Sequence, residues 1–240
     1  KDDGTFIIDN EDKEVYLSDG RLVKAWLKVG AEGSDLVSSF HVLSFLKRVT
    51  KLASVKPLYL PRIHEFGLAS KSSSMYLVTD FIEGIKWSEL FEYDVDLNSL
   101  IDQLIAAVEH LHGLGLSHGD IHPENVIVRA EDSHLFLIDI PDFSHNTSEP
   151  KNHRYSPEHI DSSSALQRDV FAVLRMSCEL LGMDWGQDSD EHPRIATAVQ
   201  AELADPEFGF RDLRRFKNAI VSARKVQQLA FVDIYLSNCD

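Results

Sequence analysis

Cysteine is scarce in this sequence: only two occur in 240 residues, Cys178 in an apolar stretch and Cys239 near the end. Two cysteines outside any spacing motif build neither a disulfide framework nor a thiolate zinc site. We therefore expect a reducing compartment, and hence a cytoplasmic protein, rather than a secreted one.

Basic residues are also few, with 24 Lys and Arg against 39 Asp and Glu, which gives a formal net charge of −15. Nucleic acids and anionic membranes both attract basic surfaces, so this balance predicts neither of them as a partner. No apolar run approaches the roughly 20 residues that span a bilayer, and no signal peptide is visible. The sequence opens on Lys1 rather than Met, which leads us to expect flanking domains of a longer chain.

The first third of the sequence predicts a small antiparallel sheet. A hydrophobic content of 43% over this length is sufficient for a globular core. Asp19-Gly20 is a strong signal for a two-residue hairpin, and pairing about that turn sets Leu17 against Leu22 and Val15 against Lys24. The predicted strands are Thr5–Ile8, Glu14–Ser18, Arg21–Val29, Ile63–Phe66 and Met75–Asp80.

Helical periodicity dominates the rest of the sequence. Leu97–Leu114 repeats apolar residues at helical spacing and is followed by Gly115, which favours the end of a helix. Asp169 stands directly before Val170–Leu181, where it can serve as a helix N-cap. The predicted helices are Asp35–Val49, Leu97–Leu114, Val170–Leu181, Arg194–Ala204, Arg211–Ala223 and Val226–Leu236.

The most informative stretch reads His-Gly-Asp-Ile-His-Pro-Glu-Asn from residue 118 to residue 125, and it leads into an apolar strand. Asp120 and Asn125 suit phosphoryl transfer, because the Asp can accept a proton from an attacking hydroxyl while the Asn carbonyl oxygen ligates Mg²⁺. Asp139 closes a second apolar run, Leu135–Ile138, and a carboxylate there can hold the main Mg²⁺ against nucleotide phosphates. The alternative is a polar β-hairpin between helices without a chemical role.

These residues resemble the catalytic loop of the protein kinase superfamily, and Asp139-Ile140-Pro141 resembles its metal-binding Asp-Phe-Gly with two letters changed. Two more stretches extend the resemblance. Tyr76–Gly84 is similar to the kinase hinge, and Ser156-Pro157-Glu158 is similar to the Ala-Pro-Glu that ends the activation segment. The resemblance implies an α+β, two-lobed protein-kinase-like fold, with a small β-rich lobe and hinge at residues 1–84 and a helical lobe at residues 85–240.

The resemblance also implies which residues bind the nucleotide. Lys24 takes the place of the strand lysine that grips the α- and β-phosphates of ATP, and Lys28 on the same strand face is the alternative. Leu22 and Val15 would pack against one face of the adenine ring.

In the hinge, the resemblance puts Thr79 in the gatekeeper place. The backbone groups of Asp80 and Ile82 would then take the polar edge of the adenine.

For the chemistry, the resemblance implies Asp120 as the catalytic base, with Asn125 and Asp139 as the Mg²⁺ ligands. His122 stands where Ser/Thr kinases carry a Lys near the γ-phosphate, and an imidazolium can act in the same way.

An Asp at the place of Asp169 ties the central helix to the catalytic-loop backbone in the family, which is the alternative to helix capping. Glu158, the Glu of the motif that ends the segment, is expected to pair with an Arg further along the sequence, and Arg211 is the candidate.

Two features depart from the family. Kinases carry a Glu in mid-helix that pairs with the strand lysine, and the predicted helix Asp35–Val49 offers only serines and a histidine there. The glycine-rich phosphate loop is also missing, because residues 9–13 read Asp-Asn-Glu-Asp-Lys and their carboxylates repel a phosphate. Both departures predict weakened nucleotide binding.

Three functions are therefore open at the level of the sequence. The first is a Ser/Thr-type protein kinase domain that uses ATP and Mg²⁺ to phosphorylate a protein substrate. The second is a pseudokinase that acts as a binding or regulatory module for a protein partner. The third is a small-molecule phosphotransferase of the aminoglycoside or choline kinase type, to which the string His-Gly-Asp-x-His-Pro-x-Asn is similar.

Overall fold

The computed structural model divides by its internal contacts into two compact units. Unit 1 comprises residues 1–90 and 124–149, and unit 2 comprises residues 91–123 and 150–240. The predicted lobes at residues 1–84 and 85–240 stay a prediction. The structure describes residues 5–9, 13–27, 29, 36–55, 57–69, 74–139, 153–157, 164–205 and 209–222.

A five-stranded antiparallel sheet forms much of unit 1. Its strands are β1 (Thr5–Asp9), β2 (Lys13–Ser18), β3 (Arg21–Trp26), β4 (Ile63–Ala69) and β5 (Ser74–Asp80), in the order β1-β2-β3-β5-β4. Asp19 and Gly20 join β2 to β3 with positive φ angles of 49° and 70°, the conformation that matches the twist of a two-residue hairpin.

The register predicted from that turn is confirmed, because Leu17 faces Leu22 and Val15 faces Lys24 across β2 and β3. The predicted third strand was too long, since β3 ends at Trp26 rather than at Val29.

Helix α1 (Leu36–Val55) packs an apolar stripe against this sheet. The ring of Phe45 meets Trp26 of β3 edge to face, with 5.2 Å between the ring centroids. The predicted end of the helix at Val49 was wrong by six residues, because Leu52 continues the buried stripe and is only 1% exposed. This helix follows the sheet strand that carries Lys24.

A second, three-stranded sheet also belongs to unit 1. It is formed by β6 (Ile85–Lys86), β7 (Val126–Val128) and β8 (Leu135–Leu137) in that order. Gly84 lies directly before β6, where a Cβ atom would overlap the carbonyl oxygen of Val128. Glycine is therefore required at the close approach of these two segments.

The described helices of unit 2 include α2 (Leu97–Gly113), α3 (Ala165–Leu180) and α4 (Pro193–Leu203), with a further helical run at residues 214–222. Helix α2 matches its prediction closely, and the apolar residues on its periodic face are buried. Asp96 caps its N-terminus by accepting a hydrogen bond from the Ser99 N–H at 3.1 Å.

Helix α3 begins earlier than the sequence predicted. Its N-cap is Ser164, which forms a capping box with Gln167, so the helix is already formed four residues before Asp169. The capping role predicted for Asp169 was therefore wrong, and its side chain is completely buried inside the second turn of the helix.

The remaining helix predictions have mixed outcomes. Arg194–Ala204 corresponds to α4 within one residue at each end, and Arg211–Ala223 corresponds to the helical run at 214–222. Val226–Leu236 lies outside the described residues. Within the described part of the chain, every helix is too short or too polar to cross a bilayer.

Candidate active site

Unit 1 contains an apolar pocket with about 610 Å³ of empty space, part of it continuous with solvent. Its wall combines the β3–β5 face of the larger sheet, the chain leaving β5, and the end of the β7–β8 hairpin. The residues that line it include Leu22, Lys24, Leu52, Thr79, Ile82 and Asp139.

The predicted nucleotide residues meet in this pocket, with one exception. Leu22 and Thr79 are paired directly across β3 and β5, and Asp80 and Ile82 follow on the pocket wall. Val15 is buried opposite Lys24, but it is absent from the residues that line the pocket. The assignment of these residues to adenine binding stays a prediction.

The chain after β5 leaves one backbone donor open. The Phe81 N–H donates to the Gly20 carbonyl at 3.1 Å, and the Asp80 N–H donates to the Arg62 carbonyl at 3.0 Å. In the described part of the chain, no hydrogen bond involves the Ile82 N–H. A polar ligand edge can therefore bind at Ile82 without displacing a protein partner.

Among the described residues, Lys24 is the only cation that lines the pocket, and it is 7% exposed. Its ammonium forms an ion pair with Asp139 Oδ1. Helix α1 contains no Asp or Glu along its whole length, so the helix cannot supply the carboxylate that pairs the strand lysine in kinases. Lys28, the alternative lysine, lies outside the described residues.

The β7–β8 hairpin brings the two predicted metal ligands to the same end of the strand pair. Val126 pairs with Leu137, and the next pair is joined by a 3.0 Å hydrogen bond from the Ile138 N–H to the Asn125 carbonyl. Asn125, just before β7, and Asp139, shortly after β8, therefore lie at the same end of the hairpin. Asp139 has a positive φ of 65° and its side chain is about one-third exposed.

This donor set suits Mg²⁺ better than a metal enclosed by protein ligands. Among the described residues, no group of three or more His, Cys, Asp or Glu side chains could hold a metal ion. Mg²⁺ usually takes one or two protein oxygens and completes its shell with phosphates and water. Within the described residues, Lys24 binds Oδ1 of Asp139 while no donor reaches Oδ2, which leaves that oxygen open to a cation.

In unit 2, a completely buried carboxylate holds the loop that carries Asp120. Asp169 of α3 accepts the His118 N–H at 2.7 Å and the Gly119 N–H at 2.6 Å. This confirms the tie between the central helix and the loop backbone. Gly119 has a positive φ of 83°, a conformation that glycine adopts without strain.

A third contact to Asp169 was missed by the sequence reasoning. His112, in the last turn of α2, places Nε2 3.0 Å from Asp169 Oδ2. A buried carboxylate is stable only when donors surround it, and this histidine completes the set. No spacing in the sequence signals the contact, because 57 residues separate the two side chains.

Asp120 and His122 lie close to each other in the same loop. His122 Nε2 is 3.8 Å from Asp120 Oδ2, and each side chain is 20% exposed. The Asp120 N–H donates to His118 Nδ1 at 3.3 Å, which further orients the loop. A carboxylate that is mostly buried but still reachable, beside an imidazole, is suited to accept a proton from a hydroxyl.

The stretch that resembles the end of an activation segment is anchored to α3. The Tyr155 hydroxyl donates to Glu179 at 2.8 Å, and Arg154 Nη2 donates to the same carboxylate at 2.8 Å. Burial is the main cause that raises the pKa of Tyr155 to about 12, and the hydrogen bond to Glu179 is the next. Ser156 and Pro157 are buried beside it, whereas Glu158 and its predicted pairing with Arg211 lie outside the described residues.

Comparison with known sequences connects this geometry to a family. The ABC1 atypical kinase-like domain matches residues 45–156. The chain is 24% identical over 223 residues to ribosomal protein S6 kinase alpha-2 of Mus musculus, covering 80% of this chain and 30% of that protein. It is 22% identical over 202 residues to a probable serine/threonine-protein kinase PknB of Lactococcus lactis, covering 77% of this chain and 31% of that protein. The matched curated relatives are much longer, and the chain spans between 16% and 31% of their length.

Solved structures show the same fold at low sequence identity. PpkA-294 in its apo form has a TM-score of 0.66 at 16% identity, with 90% of this chain and 94% of that chain covered. The kinase domain of maize SIRK1, a sucrose-induced receptor kinase bound to AMP-PNP, has a TM-score of 0.58 at 17% identity, with 92% and 93% covered. WbdD with a kinase inhibitor has a TM-score of 0.56 at 17% identity, covering 90% of this chain and 44% of that one.

The fold class predicted from the sequence, a protein-kinase-like α+β fold, is therefore confirmed. The family match, the curated kinase relatives and the shared fold agree with the catalytic-loop residues read from the sequence. The chain is therefore similar to members of the protein kinase superfamily, from which its sequence diverges.

Proposed function

We propose that this chain binds Mg²⁺-ATP in the pocket of unit 1 and transfers the γ-phosphoryl group to a hydroxyl of a protein substrate. The observation that carries the proposal is the meeting of Lys24, Ile82 and Asp139 in one apolar pocket. Such a pocket offers apolar space for a base, an open backbone donor for its polar edge, and a lysine and a carboxylate for phosphate and metal. The AMP-PNP bound to the maize structural neighbour supports the same ligand class here.

Each residue has a role that follows from its chemistry. Lys24 would neutralise the α- and β-phosphates, and Asn125 and Asp139 would hold Mg²⁺, which would draw charge from the transferred phosphate when bound. Asp120 would accept the proton of the attacking hydroxyl. His122, when protonated, would offset negative charge on the γ-phosphate.

A protein substrate is favoured by the anchoring of residues 154–157. Arg154 and Tyr155 both bind Glu179, and Ser156 and Pro157 are buried, so this stretch is held firmly in place, with Arg154 exposed. The Mus musculus and Lactococcus lactis relatives are protein kinases by name, which supports the same substrate class. Protein partners, whether substrates or regulators, are accordingly part of the proposal.

A second candidate function is favoured by a specific observation. Helix α1 has no carboxylate, and Lys24 is paired instead with the residue that is proposed to bind the metal. A pocket in this state need not bind Mg²⁺-ATP, and the chain would then act as a pseudokinase that binds a protein partner.

Thermal unfolding with and without Mg²⁺-ATP separates the two candidates. A ligand that binds only the native state at ten times its Kd stabilises it by about 1.4 kcal/mol. For a chain of this size we expect Tm to rise by about 3–6 °C. Asp139→Ala should abolish most of the rise, whereas Asp132→Ala at the opposite end of the β7–β8 hairpin should retain it. No rise at millimolar Mg²⁺-ATP would favour the pseudokinase function.

The substrate class is tested by transfer of labelled phosphate. We expect label on a general protein substrate such as casein or myelin basic protein, and none on choline or an aminoglycoside. The Asp120→Asn variant serves as the blank. Label on the small molecules alone would contradict a protein substrate and would favour the small-molecule phosphotransferase.

A further inference from the structure

In unit 1, one carboxylate serves both the phosphate-binding lysine and the proposed metal site. Lys24 is buried and its ammonium binds Asp139 Oδ1. Among the described residues, Asp139 is the only acidic side chain in ion-pair contact with Lys24, and Lys24 is the only cation in contact with Asp139. Helix α1 supplies no alternative carboxylate along Leu36–Val55.

This arrangement makes the charge balance of the pocket depend on what is bound. With the pair closed, the ammonium and the carboxylate compensate each other. A triphosphate needs the ammonium of Lys24, and once the lysine turns to the phosphates, Asp139 is left uncompensated beside another anion. Like charges in a partly buried site repel strongly, because the surrounding dielectric screens them less than water does.

We propose that the Lys24–Asp139 pair is a latch that makes nucleotide binding conditional on a divalent cation. ATP opens the latch only when a cation is bound with it, so that Asp139 gains a new partner as Lys24 turns to the phosphates. This inference rests on the proposed nucleotide site and adds a rule for its occupation. Because linkage is reciprocal, the cation and ATP must each raise the affinity of the other by the same factor, which we expect to be about tenfold or more.

The latch predicts that Asp139→Asn raises the affinity for ATP when no metal is present and lowers it when Mg²⁺ is present. Asp139→Asn removes the competing charge and frees Lys24, so metal-free ATP should bind more tightly to the variant than to the wild type, by about tenfold. With Mg²⁺ present, the same variant should bind ATP more weakly than the wild type, because a metal ligand is lost. If Asp139 were only a metal ligand, the substitution would not tighten metal-free binding.

The test measures ATP affinity by calorimetry on the purified chain, in EDTA and in Mg²⁺, for wild type, Asp139→Asn and Asp132→Asn. Asp132 is the matched control, because it lies on the same hairpin and is ion-paired with Arg129 at 2.6 Å, away from the pocket. The control should behave as the wild type in both conditions. Circular dichroism confirms that each variant is folded before its affinity is measured.

A measurement on the unmodified chain covers the case in which Asp139→Asn fails to fold. In EDTA, ATP should bind the wild type no more tightly than adenosine, because Lys24 stays paired with Asp139 and does not bind the phosphates. Adding Mg²⁺ should tighten ATP binding by about tenfold or more and leave adenosine binding unchanged. Metal-free ATP that binds far more tightly than adenosine would overturn the latch.

The outcomes distinguish the latch from the proposed function. If the wild type binds Mg²⁺-ATP but Asp139→Asn does not gain affinity in EDTA, the latch is wrong and the proposed function stands. If Mg²⁺-ATP binds the wild type and Asp139→Asn gains affinity in EDTA, but no phosphate is transferred to any substrate, the latch is supported and the proposed phosphotransfer is contradicted. Absence of nucleotide binding in every variant and condition would overturn both.

Discussion

The two units restrain their candidate functional residues in different ways. In unit 2, Asp169 is completely buried, accepts hydrogen bonds from the His118 and Gly119 N–H groups of the loop around Asp120, and also contacts His112 of α2. In unit 1, Lys24 has a single partner among the described residues, and that partner is the proposed metal ligand. The loop that carries Asp120 is thus fixed by a buried network, whereas the proposed phosphate-binding lysine depends on one partly exposed partner.

Burial explains why the two arrangements differ in stiffness. A carboxylate withdrawn from water must be surrounded by donors, and each donor left unmatched after its removal carries a large penalty. Asp139, with about one-third of its side chain exposed, can exchange one partner for another at a much smaller cost. We therefore expect substitutions in unit 2 to affect catalysis and folding, and those at the Lys24–Asp139 pair to affect ligand binding.

The largest effect is expected for Asp120, the proposed catalytic base in unit 2. Asp120→Asn should reduce phosphoryl transfer by about 10²–10⁴-fold, because an amide cannot accept the hydroxyl proton. Affinity for Mg²⁺-ATP should stay within about twofold of the wild type, since the pocket of unit 1 is unchanged. Steady-state kinetics and calorimetry measure the two quantities. Equal transfer rates in the variant and the wild type would exclude Asp120 as the base.

The next effect concerns the restraint on that base. Asp169→Asn should lower the free energy of unfolding by about 2–4 kcal/mol, because the amide offers one oxygen to two buried N–H donors and directs its own donors at them. Urea unfolding measures the loss. Asp190→Asn, at an exposed position of unit 2, should change stability by less than about 0.5 kcal/mol. If the two substitutions cost the same, the network around Asp169 does not restrain the loop.

The same substitution, Gly to Ala, tests the packing at one position in each unit. Gly84→Ala in unit 1 should destabilise by about 1–3 kcal/mol, because its Cβ would overlap the Val128 carbonyl oxygen. Gly113→Ala at the end of α2 has no atom within 4 Å of the new Cβ, so it should leave stability unchanged or slightly higher. Thermal unfolding of both variants checks the pair. A tolerated Gly84→Ala would show that the β6–β7 approach adjusts freely.

The smallest effect is a pH dependence at the anchor of residues 154–157. Burial raises the pKa of Glu179, but hydrogen bonds from Arg175, Arg154 and Tyr155 outweigh it and set this pKa below the usual value of 4.5. The folded state therefore binds this proton less tightly than the unfolded state. The stabilisation is present above pH 4.5 and is lost as the pH falls through the lower folded pKa.

Glu179→Gln should remove this part of the acid sensitivity. The variant should be less stable than the wild type at pH 7, and the difference should narrow as the pH falls below 4.5. Urea midpoints across that range measure it, with Asp190→Asn as a control that should keep the pH dependence of the wild type. A difference between Glu179→Gln and the wild type that is constant with pH would mean that the carboxylate charge contributes nothing.

Local signals in the sequence were sufficient where neighbouring residues decide the structure. Asp19-Gly20 set the β2–β3 register, because the turn allows only one pairing of the adjacent strands. The apolar period predicted α2 nearly to its ends, because one face of that helix is buried along its length. The loop from His118 to Asn125 could be assigned to the kinase superfamily from its residue types alone. The pocket likewise contains all but one of the predicted nucleotide residues, Val15 being the exception.

The errors arose where a distant part of the chain decides the outcome. Helix α1 runs beyond Val49 because Leu52 is buried, and α3 starts before Asp169 because Ser164 caps it. The sequence by itself therefore determined the fold family, the β2–β3 hairpin and the residue types of the catalytic loop. Only the tertiary structure decided that Asp169 restrains that loop from 50 residues away and that Lys24 pairs with Asp139 from 115 residues away. The physical reason is that a buried charge takes as its partner the nearest available group in space, and sequence spacing does not record which group that is.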